Sequence, residues 1–272
     1  MLELYHHGSS ACAAKVRMVL AEKELDWTGH YIDILNGEQF TDAYRKINPK
    51  CIVPTLVDDG LIIPESTVIC EYLDTKFPEV KLIPDDPVEA IKVRLWSKAV
   101  DEEIHPATRV VTYAASHRFH ILALSEEERE AFINNPIEPA RREAKRRAIY
   151  DGFDYEEAKG ALMMFVRVFE RMEAALAESE WLVGDTYTFA DAALSIYVNR
   201  IDCLSMAGIW EDKMPHLEAW WKKIKARPSF HPAIFEWLPE ELRDTMKTNG
   251  ARSWPQAEAI IDAERAKVQA AN

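Results

Sequence analysis

Over the first eighty residues the apolar positions switch repeatedly between an alternating spacing and a helical one. Leu2-Glu3-Leu4-Tyr5 alternates as a short strand does, and Gly8-Ser9-Ser10 follows as a strand-to-helix turn. From Ala11 to Lys23, Val16, Met18, Val19 and Leu20 fall where a helix packed on one face needs them. Trp27 to Ile34, rich in aromatic and β-branched residues, reads as a second strand. Thr41 to Ile47 reads as a short helix closed by Asn48-Pro49. Pro54-Thr55-Leu56-Val57-Asp58 and Leu61-Ile62-Ile63 flank Asp59-Gly60, the two-residue turn most typical of a hairpin. A last helix opens at Glu65-Ser66-Thr67 and runs to Lys76, ahead of Pro78.

The order β-α-β-α-β-β-α predicts a small mixed sheet. A helix between the first two strands implies a right-handed parallel crossover, and the hairpin implies an antiparallel pair beside it. After Asp85-Asp86-Pro87 the spacing becomes helical throughout. Helices are expected over Val88–His105, Pro106–Leu124, Pro139–Tyr150, Tyr155–Ala177, Ala190–Met206 and His216–Ala226. The expected organisation is an α/β domain over residues 1–80, a linker over 81–87, an all-α domain over 88–238 and a polar C-terminal extension over 239–272.

Composition removes several classes of function. The chain has 272 residues and a formal charge of −13, with a pI near 5.2. That is a poor match for the basic stripe of a nucleic-acid binder. The densest basic cluster, Arg141, Arg142, Lys145, Arg146 and Arg147, is interrupted by Glu143 and reads as a solvated helix face. The N-terminus lacks a basic start and apolar run, and the longest apolar runs, such as Ala161–Val166, are far short of the roughly 20 residues a membrane helix needs. Cys12, Cys51, Cys70 and Cys203 are widely spaced with no C-x-x-C pair, so neither a disulfide framework nor a zinc site is expected. A soluble protein of the cytoplasm is the expectation.

Candidate chemistry concentrates at the first turn. No G-x-S-x-G elbow is present, and His6 and His7 are strand neighbours that face opposite ways. His117 and His120 have no carboxylate at ligand spacing, so no metal site is expected. In Gly8-Ser9-Ser10-Ala11-Cys12, a redox protein of this topology would carry a cysteine pair at the helix N-terminus, but only Cys12 remains. On its own, Cys12 reads as a small buried apolar residue. The two serines read either as helix caps or as donors to the sulfur of a bound thiol ligand. The second reading closes energetically. Lowering a thiol pKa from about 8.5 by two units needs roughly 2.7 kcal/mol. One hydrogen bond to the anion supplies about 1.5–3 kcal/mol, and a helix N-terminus about 0.3–1 more. No general base is required, and none is evident. Val53-Pro54, where a cis proline would expose backbone to a peptide-like ligand, and the carboxylate-binding helix start at Glu65-Ser66 complete a sheet-edge constellation.

These segments resemble the cytosolic glutathione transferases. The resemblance is carried by Gly8–Cys12, by Ile47–Leu56 with its Val53-Pro54, by Glu65–Leu73, by Gly184-Asp185 with Thr188–Asp191, and by Pro215–Pro228. It implies a thioredoxin-like N-terminal domain, an all-helical C-terminal domain, glutathione as co-substrate and a homodimer. Ser9 and Ser10 are then candidates to hold the glutathione thiolate, while Cys12 keeps thiol–disulfide chemistry open. Val53 and Pro54 would meet the cysteinyl backbone, Glu65 and Ser66 the γ-glutamyl end, and Lys50 the glycyl carboxylate. Cys51 stands where some relatives have histidine. Lys15, Arg17, Lys46 and Lys50 are candidates to set the local field. His105, Arg109, Thr112 and Tyr113 are candidates for the wall of a hydrophobic, aromatic electrophile site. The Ser116-His117-Arg118 segment, the insertion around Arg146-Arg147 and Gly152-Phe153, and the long tail are similar to bacterial β-aryl-etherases. Two other functions stay open: a Cys12-dependent glutathione oxidoreductase, and a non-catalytic binding protein on the same scaffold.

Overall fold

The structure, a computed structural model, describes residues 1–135 and 139–271. The chain packs into two compact units. One comprises Met1–Lys98, Ser179–Ile196 and Trp220–Glu240; the other comprises Ala99–Glu178, Tyr197–Ala219 and the chain from Glu241 on. The expected linker at 81–87 lies inside the first.

The first unit opens with β1 (Leu2–His6), α1 (Ala11–Glu22), β2 (Thr28–Tyr31), α2 (Asp42–Ile47), β3 (Thr55–Asp58), β4 (Leu61–Pro64) and α3 (Ser66–Lys76), the order expected from the hydrophobic pattern. The sheet runs β2-β1-β3-β4, with β1 parallel to β2 and the other two pairings antiparallel. Register places Leu4 opposite Leu56 and Leu56 opposite Ile63, so the buried face carries one continuous apolar row. Val16, Val19 and Leu20 of α1 and Ile69, Cys70 and Leu73 of α3 cover it, and all six are buried. Asp59 and Gly60 both have positive φ, 48° and 88°, as the tight hairpin turn demands.

From Pro87 the chain is helical. A run of α4 (Pro87–Ala99), a π-helical turn (Val100–Ile104), α5 (His105–Thr112), a second π-helical turn (Tyr113–His117) and α6 (Arg118–Leu122) replaces the two helices expected there. Pro106 cannot donate into the helical ladder, and the π turn before it absorbs the fault without ending the helix. Next comes α7 (Glu126–Asn134), which the hydrophobic spacing did not reveal. Its start is a capping box: Ser125 Oγ accepts from Glu128 N, and the Glu128 carboxylate accepts from Ser125 N at 3.1 Å. Further on, α8 (Pro139–Tyr150), α9 (Glu156–Glu178), α10 (Phe189–Cys203) and α11 (Pro215–Lys225) agree with the spacing to within a few residues, and α12 (Phe230–Ile234) is a short addition.

The stretch expected as a polar extension is α13 (Glu240–Ala271), one long helix that continues through Pro255. It is held within the second unit by the π turn at Tyr113–His117. Ser253 Oγ donates to Ala115 O at 2.9 Å, and Asn249 Nδ2 donates to Ser116 O at 3.3 Å. Gly250 lies so close to Leu204 that a Cβ would sit 1.9 Å from its carbonyl oxygen. No helix among the described residues is long and apolar enough to cross a membrane.

Candidate functional site

The end of β1 delivers the serine turn. Beyond His6 the chain turns through His7-Gly8-Ser9, and Ser10 N donates to His7 O at 3.2 Å. Ser10, with extended backbone angles, is the N-cap of α1: its hydroxyl oxygen accepts from Ala13 N at 3.2 Å and its proton is left to donate. Ser9 is bound differently. Its Oγ lies 2.9 Å from His7 Nδ1, and its backbone N–H donates to the same nitrogen at 3.2 Å. A ring nitrogen that accepts an N–H carries no proton, so the Ser9 O–H donates to His7. Ser9, Ser10 and Cys12 are all half-buried, so Cys12 is not the fully buried residue expected from its helical position.

Arg17 braces this turn from behind. Its guanidinium, buried within α1, donates to Ala233 O at 2.7 Å, to His7 O at 3.3 Å and to Gly8 O at 3.2 Å, and it lies 3.2 Å from His6 Nδ1. Burial lowers its pKa to about 9. Burial first, and then the neighbouring Arg17 charge, pull His6 down to about 3. His6 is therefore a neutral core residue, packed edge-on against Trp27 and Trp237. Gly8 is required by packing: a Cβ there would lie 1.8 Å from the carbonyl oxygen of Trp237.

The second turn of α1 and the first turn of α3 are tied together, since the buried Lys15 Nζ donates to Thr67 Oγ1 at 2.6 Å. Of the four candidates for a local field, Lys15 and Arg17 are thus engaged in the scaffold, while Lys46 and Lys50 are exposed. Ser66 opens α3 and is buried. Glu65, its N-cap, has φ 69° and makes no side-chain cap bond. That backbone is strained for a residue with a Cβ, and such strain collects at binding sites. The Glu65 carboxylate pairs with Lys50 Nζ at 2.6 Å, both partly in water. Val53–Pro54 is a cis peptide, with Val53 half-buried. Its loop is pinned by Asn48 Nδ2, which donates to Ile52 O at 3.0 Å and to Thr55 Oγ1 at 2.9 Å. The Tyr44 hydroxyl donates to Ile52 O at 2.7 Å. Cys51 is buried, its sulfur 3.7 Å from Pro49 O, so its thiol is turned away from solvent.

His105, Arg109, Thr112 and Tyr113 lie in the second unit, on one face of α5 and its π continuation. His105 Nδ1 is 3.3 Å from the Tyr197 hydroxyl. The Thr112 hydroxyl is buried without a hydrogen-bond partner among the described residues. Burial raises Tyr113 to about 12, and its ring meets His117 edge-on at 5.4 Å. A cavity of about 260 Å³ in the first unit is bounded by Arg17, Trp27, Gly29, Glu236 and Trp237; of the candidate residues only Arg17 lines it.

His7 is the partner of Ser9 that sequence reasoning passed over. Strand alternation does not reach it: β1 ends at His6, His6 and His7 are both buried rather than facing opposite ways, and the turn that follows brings Ser9 against the His7 ring.

Residues 9–76 match the family model of the glutathione S-transferase N-terminal domain, and residues 137–228 match that of the C-terminal domain. Protein LigF of Sphingobium sp. strain SYK-6 is 33% identical over 250 residues, which is 90% of this chain and 96% of that protein. The crystal structure titled β-etherase LigF from that strain superimposes with a TM-score of 0.75, over 86% of this chain and 98% of that one. The tetrachloro-p-hydroquinone reductive dehalogenase of Sphingobium chlorophenolicum is 27% identical, over 85% of this chain and 95% of that protein.

Proposed function

The chain belongs to the glutathione S-transferase family, and on that premise we propose that it binds glutathione as a thiolate at the α1 N-terminus for attack on an apolar aromatic electrophile. The observation that carries the reading is the Ser10 hydroxyl, fixed at the mouth of α1 by Ala13 N with its own proton free for a sulfur. A donor held there is worth about 1.5–3 kcal/mol to an anion, and the helix end adds about 0.3–1 kcal/mol. Together they cover the roughly 2.7 kcal/mol that a two-unit lowering of a thiol requires. Lys50 and Glu65 suit the two ends of a zwitterionic tripeptide. They now neutralise each other at 2.6 Å, and an exposed pair of this kind is worth at most about 1 kcal/mol, so a ligand carboxylate and ammonium can replace it at little cost.

The likeness to LigF, a protein whose structure is titled a β-etherase, favours an aryl ether with a phenolic leaving group as the electrophile. The test is incubation with glutathione and a β-aryl ether, with phenol and glutathione conjugate measured together by mass spectrometry. Equal yields of the two are expected. Phenol release no faster than with glutathione alone would overturn the reading. A homodimer is part of it: Val88, Ile91 and Leu95 form an apolar stripe on α4, each more than half exposed. None of the four cysteines is in a disulfide among the described residues, which supports a reducing, cytoplasmic setting.

A second reading keeps thiol–disulfide exchange at Cys12, favoured by its half-buried place in the first turn of α1, where a thiolate is stabilised. A glutathione adduct on Cys12 and loss of turnover in Cys12→Ala would support it.

A further inference from the structure

Ser9 and Ser10 are not equivalent. Ser10 Oγ accepts from the backbone of α1 and can donate to an anion, whereas the Ser9 proton is committed to His7 Nδ1 at 2.9 Å. A hydroxyl whose proton points at an imidazole keeps its oxygen as an acceptor, the role a proton-receiving group needs. The acceptor is held in place: Arg17 grips the carbonyls of His7 and Gly8, and the Ser9 N–H fixes which ring nitrogen is bare.

We propose that His7 acts through Ser9 as the proton acceptor for the glutathione thiol, a role that rests on glutathione binding at the serine turn as read above. The thiol S–H breaks as its proton passes to Ser9 Oγ. The Ser9 O–H breaks as its own proton passes to His7 Nδ1, and the Ser9 N–H, which can no longer donate to a protonated nitrogen, gives up its bond there. The products are a thiolate, an unchanged serine and an imidazolium, with no proton lost to water. Ser10 and the α1 N-terminus then hold the anion. His7 is in this sense a positioning residue for Ser9 as well as the proton store.

Among the described contacts, the charged and titratable groups around His7 include residues of α1, β1 and β2 and one just beyond β2. Arg17 of α1 opposes an imidazolium, although its N–H groups already point at carbonyl oxygens. His6 of β1 stays neutral, with its pKa near 3. Tyr31 of β2 places its ring 5.1 Å from that of His7. Asp33, just beyond β2, is close enough for His7 to contribute to lowering its pKa, which falls mainly through hydrogen bonds from Asn36, and its carboxylate favours the protonated ring.

The test counts protons. Glutathione is titrated calorimetrically into the protein in buffers of different ionisation enthalpy, and thiolate is measured in parallel by its ultraviolet band. Wild type is expected to release clearly less than one proton per thiolate formed. His7→Asn keeps a hydrogen-bond acceptor for Ser9 but cannot hold a proton. It is expected to release one proton per thiolate, with the thiolate midpoint raised by about one pH unit, a tenfold loss of thiolate relative to thiol. Ser9→Ala should behave like His7→Asn. Should the variants fail to fold, nitrogen NMR of wild-type His7 decides: both ring nitrogens are expected to become protonated when glutathione is added. One proton released per thiolate in wild type, or a His7 ring that stays neutral, overturns the proposal. Absence of any thiolate in wild type is a different result and removes the glutathione reading together with it.

Discussion

Replacing Gly8 by alanine adds a single carbon at the tightest point of the serine turn. That carbon would lie 1.8 Å from Trp237 O and 2.8 Å from Trp237 C, both backbone atoms that cannot swing away. Restoring an ordinary contact of about 3.5 Å requires a displacement of roughly 1.7 Å between the turn and the Trp237 backbone. Gly8 O is also a target of Arg17 Nη2, so movement of the turn weakens that brace as well. Overpacking of this kind costs about 1–3 kcal/mol, which for a chain of this size lowers the melting temperature by roughly 2–4 °C per kcal/mol. The functional cost is larger, because a misplacement of about 1 Å near the chemistry can reduce turnover about a hundredfold. Gly8→Ala is therefore expected to fold, to melt several degrees lower and to form about ten- to a hundredfold less thiolate from saturating glutathione. The assays are a thermal melt and the ultraviolet band of the bound thiolate. Wild-type values in both would refute the claim that the turn is clamped between Arg17 and Trp237.

Three other perturbations follow from the same geometry. Glu65→Gly relieves a strain of about 1–3 kcal/mol against about 0.5–1 kcal/mol of added backbone entropy; the melting point should hold or rise while calorimetry shows weaker glutathione binding, and a clear loss of stability would mean that φ 69° stores no strain. His6, lowered by burial to about 3 from an unfolded value near 6.5, contributes stability that is complete above pH 6.5 and lost as the pH falls towards 3. The slope is about 1.4 kcal/mol per unit, so His6→Gln should flatten urea-derived stability across that window, and an unchanged slope would show that His6 charges freely in the fold. Leu95→Glu, in the exposed α4 stripe, should shift the sedimentation mass from dimer to monomer without lowering the melting point of the monomer; an unchanged mass would exclude that stripe as the interface.

What could be read from the sequence was what local rules determine. The Asp59-Gly60 hairpin needed two positive φ values and has them, and α8 begins and ends where its spacing and Pro139 placed it. The helix at Glu126–Asn134 escaped because its apolar spacing is sparse, although its Ser125–Glu128 capping box stood in plain view. The π turns were beyond reach. At Tyr113–His117 the carbonyls of Ala115 and Ser116 are taken up by Ser253 and Asn249, more than 130 residues downstream, and no local window contains that partnership. At the site, the serine turn, the cis proline and the start of α3 were legible as motifs. The Ser9–His7 pair was not, because a hydroxyl's partner is set by the turn's geometry and not by its neighbours' identity. Cys51, placed at the site by resemblance, is buried with its sulfur 3.7 Å from Pro49 O, a partner that only the folded loop supplies.

The most direct measurement is a pH titration of the ultraviolet absorbance of glutathione bound to the wild-type protein and to Ser10→Ala. A wild-type midpoint about two units below that of free glutathione, moved back upward by at least one unit in the variant, is the outcome expected of a sulfur anion held by a hydroxyl at a helix mouth. A midpoint equal to that of free glutathione, or one that ignores the loss of the hydroxyl, would contradict it.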